Sequence, residues 1–164
     1  MDAHQGGAAP GEPAAAAGRR VLVVEDDAAT ATVWEQALAD EGYAVRTRDS
    51  ARGVAALLRA WRPGAVLLDL GLPDRSGACL LAALKADPAT AAIPVGVVSG
   101  TPEALPPADR GLAAAVLPKP FDLEQALAVV AALWSAPPRH PPTVERAVPG
   151  RSRSRSGRTP TRRR

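Results

Sequence analysis

Apolar residues fall along this chain in short continuous runs that alternate with stretches of helical spacing. The run Val-Leu-Val-Val at 21–24 is β-branched and uninterrupted, the pattern of a strand covered on both faces. A helix is predicted over Ala28–Asp40, with Val33 and Ala37 on its apolar face and Gly42 after its end. Residues 43–48 alternate enough for a second, shorter strand. Ser50 is placed to cap a helix that carries Val54, Leu57, Leu58 and Trp61 and ends before Pro63. Residues 65–68 form the next buried run, and Gly77–Ala86 a third helix with Leu80, Leu81 and Leu84 together.

The fourth run, 94–98, opens on a proline, which a strand tolerates at its first position. Pro102, Pro106 and Pro107 break the stretch that follows, so any helix there is short and late. A fifth run occupies 115–117. Asp122 and Gln125 then form a capping box for a last helix with Leu123, Leu127, Val130 and Trp134 at helical spacing. Five strand–helix repeats require right-handed crossovers, which gives an α/β fold: a five-stranded parallel, doubly wound sheet with helices on both faces. Trp34, Trp61 and Trp134 lie near apolar helix positions and are read as packing residues.

Composition divides the chain of 164 residues into three parts. Residues 1–18 are Ala, Gly and Pro with little to bury, the composition of a disordered leader. Residues 19–134 hold all the patterned segments and form the one folded domain. Residues 135–164 contain five prolines in their first half and an Arg/Ser alternation in the second, the composition of a disordered basic tail. The formal charge of +3 averages unlike parts, since residues 1–134 carry a net of −5 and the tail a net of +8. One cysteine, Cys79, forms no internal disulfide and is read as a small buried hydrophobe of a reducing compartment. The apolar, uncharged stretch 125–138 is too short to cross a bilayer, and the first residues do not read as a secretory signal, so a cytoplasmic location is expected. His4 and His140 fall outside the folded part.

In doubly wound sheets, ligands gather beyond the carboxyl ends of the strands. Here the first strand is followed by Glu25-Asp26-Asp27, the third by Asp69, the fourth by Ser99-Gly100 and the fifth by Lys119-Pro120. An acid after a strand is ordinarily a turn or a helix cap, and Asp27 is read as the cap of the first helix. Four strands delivering acids, a hydroxyl and an amine to one edge are a different matter. Converging carboxylates repel, and a hard divalent cation, Mg²⁺, relieves that repulsion with oxygen ligands. The amine and hydroxyl suit contact with phosphoryl oxygens, and the central carboxylate suits attack on phosphorus.

With the segments around Glu25-Asp26-Asp27, Leu-Leu-Asp69-Leu-Gly-Leu-Pro73, Val-Val-Ser99-Gly100 and Leu-Pro-Lys119-Pro120-Phe121 in this order, residues 19–134 resemble the receiver domain of two-component response regulators. The resemblance implies a flavodoxin-like sandwich in which Asp69 is the phosphorylation site, accepting phosphate from a histidine kinase or a histidine phosphotransfer protein. It implies Mg²⁺ held by Asp26, Asp69 and the backbone carbonyl of Gly71, with Glu25 acting through water. It also implies Ser99, with Gly100, as the switch hydroxyl, Lys119 as the phosphoryl-binding lysine, and a cis peptide before Pro120. Such a protein is not an enzyme beyond accepting the phosphoryl group and slowly hydrolysing it, and it passes its signal through a phosphorylation-dependent contact with a protein target.

Three departures stand out. Val116 occupies the position of the family's switch aromatic and supplies no ring. The helix between the fourth and fifth strands, part of the family's output face, has the poorest sequence here. Gly71 and Thr101 sit where the family tunes hydrolysis. The thirty residues after Trp134 are too few and too polar for a DNA-binding output domain, so a stand-alone receiver is expected. Alternatives remain: a degenerate receiver acting as a scaffold, nucleic-acid binding through the Arg/Ser tail, or an aspartate-nucleophile phosphatase. The phosphatase would need an acid at Gly71. Asp74 and Arg75 face either a kinase partner or water, and the sequence does not choose.

Overall fold

The structure is a computed structural model that describes residues 19–135. The expectations for 1–18 and for the tail beyond Ser135, nucleic-acid binding included, lie outside the described residues. The chain runs β1 (Arg20–Val24), α1 (Ala28–Asp40), β2 (Ala44–Arg48), α2 (Val54–Trp61), β3 (Ala65–Asp69), α3 (Gly77–Ala86), β4 (Val95–Ser99), β5 (Ala115–Pro118) and α4 (Leu123–Ser135). All the strands pair in parallel in one sheet of order β2-β1-β3-β4-β5. The interior strands are the continuous apolar runs, because both their faces are covered. β2, at an edge, carries Arg46, Thr47 and Arg48 and is only half-buried.

Successive residues of a strand point to opposite faces, so each inner strand feeds two cores. Leu22, Val24, Val66 and Leu68 pack with Leu58, Trp61, Leu81 and Leu84 of α2 and α3. Val21, Val23 and Leu67 pack with Trp34, Leu38, Val130 and Leu133 of α1 and α4. α4 begins with the reciprocal capping box: the Gln125 N–H donates to the Asp122 carboxylate at 2.8 Å, and the Asp122 N–H to the Gln125 side chain at 3.0 Å.

Four local expectations are corrected. α1 buries Trp34 and Leu38, leaving Val33 59% exposed and Ala37 half-buried, because the indole ring of Trp34 packs at a tilt against Phe121, with centroids 5.2 Å apart, and sets the buried seam one residue further on. α4 likewise buries Ala126, Val130 and Leu133, and leaves Leu123 exposed. Ser50 does not cap α2: its hydroxyl donates to Asp49, and Gly53, at φ +74°, leads into the helix three residues later. Cys79 is exposed rather than buried; it lies with Ala83 and Ala86 on the outer stripe of α3, opposite Leu81 and Leu84.

Between β4 and β5 the chain forms two single 3₁₀ turns, Pro102–Ala104 and Arg110–Leu112, and no α-helix. Each of three prolines removes an N–H that a helix ladder would use, and fully buried Leu105 pins the segment to the core instead. The five-unit repeat therefore closes with four α-helices.

Gly77 starts α3 against the strand that ends in Asp69. Its N–H donates to the Leu70 carbonyl at 3.0 Å, and a Cβ built on it would fall 2.1 Å from the Asp69 carbonyl oxygen. The obstacle is backbone, which cannot step aside as a side chain can. Gly77→Ala is expected to lower the unfolding free energy by about 3 kcal/mol in urea denaturation. Gly111→Ala, with nothing within 4 Å of its Cβ, should stay within about 0.5 kcal/mol of the parent.

Candidate functional site

The strand order reverses direction between β1 and β3, and there the strand-end acids meet. Glu25 continues the β1 ladder, its N–H donating to the Arg48 carbonyl at 2.9 Å, which fixes its backbone. Its side chain is buried, with both oxygens engaged: Oε1 accepts the Asp27 N–H at 3.3 Å and Oε2 accepts the Lys119 ammonium at 2.8 Å. Asp69 closes β3; its Oδ1 accepts the Gly71 N–H at 3.2 Å and its Oδ2 accepts Lys119 at 3.1 Å. Asp26 is exposed beside them. Carboxylate oxygens of Glu25, Asp26 and Asp69 lie within 4.8 Å of one another.

Lys119 follows β5, and its N–H donates to the Ser99 carbonyl at 2.8 Å, so the end of β4 sets where its side chain starts. The Lys119–Pro120 peptide is cis. Ser99 is buried at the end of β4, and its Oγ accepts the Thr101 N–H at 3.0 Å; Gly100 beside it is exposed. Val116 projects outward from β5, 41% exposed. The structure thus gathers Glu25, Asp26, Asp69 and Lys119 into one cluster and holds Ser99 on the strand next to Asp69. Asp27 stands outside the cluster and caps α1, accepting the Thr30 N–H at 2.7 Å.

Burial pushes the Glu25 carboxyl above its usual range, with the nearby Asp69 charge adding to the effect and Lys119 opposing it. Burial works against the Lys119 ammonium as well, but its bonds to Glu25 and Asp69 outweigh that and raise it. Three carboxylates and one ammonium leave an excess of two formal negative charges. The donors are all hard oxygens, and an open cleft of about 490 Å³ lined by Glu25, Asp26, Glu35 and Asp49 leads to them. A small divalent cation fits both the charge and the donor chemistry of this cluster.

One contact had no signal in the sequence. The Asp74 carboxylate accepts the N–H groups of Ala51 and Arg52, at 2.9 and 3.0 Å, across 23 and 22 residues of chain. An acid in a Pro-Asp turn reads as a local turn former, and nothing nearby names so distant a partner.

Fold and site together place the chain among doubly wound α/β proteins with an acidic centre at the carboxyl edge of the sheet. A family profile described as the response regulator receiver domain matches residues 21–131. Over 131 residues the chain is 34% identical to the DNA-binding transcriptional regulator NtrC of Rhizobium meliloti, covering 78% of this chain and 26% of that protein. It is 32% identical over 109 residues to the transcriptional regulatory protein KdpE of Staphylococcus aureus, covering 65% of this chain and 46% of that one. The CheY-like receiver domain from Methylobacillus flagellatus superposes with a TM-score of 0.64 at 27% identity, over 70% of this chain and 98% of its own. The chain belongs to the receiver-domain family of response regulators, the phosphorelay modules of two-component systems. It spans between about a quarter and about half of the length of these two curated relatives. Among the described residues, no helix is long and apolar enough to cross a membrane.

The Lys119 bridge makes a prediction about stability. Glu25 is raised in the fold, so its contribution is full below pH 4.5 and is lost as pH rises through the folded value. Lys119 is also raised; its contribution is full below pH 10.5 and is lost as pH rises through its own folded value. Lys119→Met removes the counter-charge of a buried carboxylate and should cost about 2 kcal/mol at neutral pH. That deficit should shrink at about pH 4, where Glu25 is protonated. Urea denaturation at the two pH values measures it, and an equal deficit at both would mean the ion pair contributes nothing.

Proposed function

We propose that this protein accepts a phosphoryl group on Asp69 from the phosphohistidine of a histidine kinase or histidine phosphotransfer protein, and signals through a protein contact that depends on that group. The carrying observation is the Asp69 carboxylate at the end of a central strand, with an ammonium at 3.1 Å and two further acids clustered around it. An Asp69 oxygen attacks phosphorus, the phosphorus–nitrogen bond breaks, and its electron pair returns to the donor imidazole, leaving an acyl phosphate. Lys119, already placed on Asp69, has charge to offer the phosphoryl oxygens as the transfer proceeds. Ser99 has the hydroxyl to follow them. Asp26, Asp69 and the Gly71 carbonyl would hold Mg²⁺, with Glu25 reaching it through water. When bound, the ion neutralises charge on the incoming phosphoryl group.

The fold supports a particular division of the response. New negative charge at Asp69 competes for Lys119, which now bonds both Asp69 and Glu25. A shift of that ammonium changes what anchors the ends of β1, β3 and β5. Val116 supplies no ring to move inward, so the response rests on the hydroxyl and the lysine.

Incubation with Mg²⁺ and acetyl phosphate should add one phosphoryl group by mass spectrometry. The label should disappear in Asp69→Ala and on chelation of Mg²⁺. A label that persists in Asp69→Ala would overturn the choice of acceptor.

A further inference from the structure

We propose that Asp74 is a positioning residue for the acceptor site: its carboxylate clamps the turn at Ala51 and Arg52, and so holds in place the loop that carries Gly71. The inference rests on the roles given above to Asp69 and Gly71.

Ala51 and Arg52 form the turn that precedes α2, and the helix begins with no side-chain cap of its own. Gly53 has no side chain, and the Ser50 hydroxyl is turned to Asp49. Asp74 reaches this turn from another loop, with one oxygen on each of two successive N–H groups. A two-point, charge-assisted contact fixes orientation as well as distance. Those bonds, the Ala51 N–H first, hold the Asp74 carboxyl below the usual carboxylate range.

The loop from 70 to 76 is anchored at its base by its own strand–helix unit and by the core. The Gly77 N–H closes its base on the Leu70 carbonyl, and Leu70 and Leu72 are buried beneath it. Gly71 is exposed, has no side chain to lock it, and donates its N–H to Asp69. Asp74 adds two hydrogen bonds from this loop to the neighbouring one between β2 and α2. Since Asp74 and Arg52 are exposed and Ala51 is only half-buried, water can replace the clamp at little cost to folding. What water cannot replace is the fixed path of the loop. Loss of the carboxylate should therefore act on ligand binding at Asp69 more than on stability.

The test uses the full chain. Titration calorimetry with Mg²⁺ should show the dissociation constant of Asp74→Ala raised by about tenfold, the scale of losses when groups supporting a metal ligand are removed. Asp74→Asn keeps one acceptor oxygen and should recover to within about threefold of the parent. Ser50→Ala should match the parent. Hydrogen exchange at the Ala51 and Arg52 amides should quicken in Asp74→Ala, while its thermal midpoint without Mg²⁺ moves little. An Mg²⁺ affinity within about twofold of the parent would overturn the positioning role, and unchanged amide exchange would overturn the clamp itself. A parent protein that binds no Mg²⁺ and gains no phosphoryl group would instead overturn the underlying reading of Asp69, and this inference with it.

Discussion

The ammonium of Lys119 bonds carboxylates delivered by two different strands, while its own backbone N–H is held by a third. Without a positive charge at that point, Glu25 and Asp69 would face each other, partly out of water, at the crowded end of the sheet. The fold tolerates them because the lysine arrives from β5, the outermost strand on that side, and reaches back toward the switch point. Glu25 is the most constrained member: its two oxygens are taken by Lys119 and by the Asp27 N–H. Asp69 also accepts one bond on each oxygen but is less buried than Glu25, and Asp26 stands exposed beside the open cleft. The site therefore has a buried, bonded side and an accessible side, and the chemistry proposed for it uses the accessible side.

The parallel sheet is what makes such a meeting geometrically cheap. Every strand runs the same way, so every carboxyl end lies on one edge, and a short loop after each strand suffices to present a group there. The two apolar faces do the remaining work, with α2 and α3 covering one and α1 and α4 the other. Beyond β4 the cover is thinner. Two 3₁₀ turns stand where a helix would complete the repeat, and Val116 on the neighbouring edge strand looks outward. Prolines account for the first of these, because the missing N–H groups leave a helix ladder incomplete. The surface on that side is thus shaped by loops, which limits how a charge change at Asp69 could be passed across it as a helix movement.

Much of this was legible before any coordinates. Continuous β-branched runs marked the inner strands, because a strand buried on both faces has no polar positions to alternate. The capping box at Asp122 and Gln125 and the cap at Asp27 were readable because each joins residues three apart, a spacing that helix geometry dictates. The four strand-end motifs named the members of the site. Assignments of helix faces were less secure: in α1 both Val33 and Trp34 are apolar, and only the ring of Phe121, 87 positions further along the chain, decides between them. Cys79 failed for a related reason, since a small apolar side chain is equally compatible with either side of α3.

By itself, then, the sequence determined the order and type of the strands, the four α-helices with their ends to within a few residues, and the identity of the groups at the sheet edge. All of these are set by neighbours a few positions away. Only the tertiary structure decided that β1 lies between β2 and β3, that Lys119 crosses 94 residues to reach Glu25, and that Asp74 holds the turn before α2. Contacts of that span have no periodicity to betray them. They exist because burying two apolar faces at once admits one arrangement of the strands, and that arrangement brings distant polar groups within bonding distance.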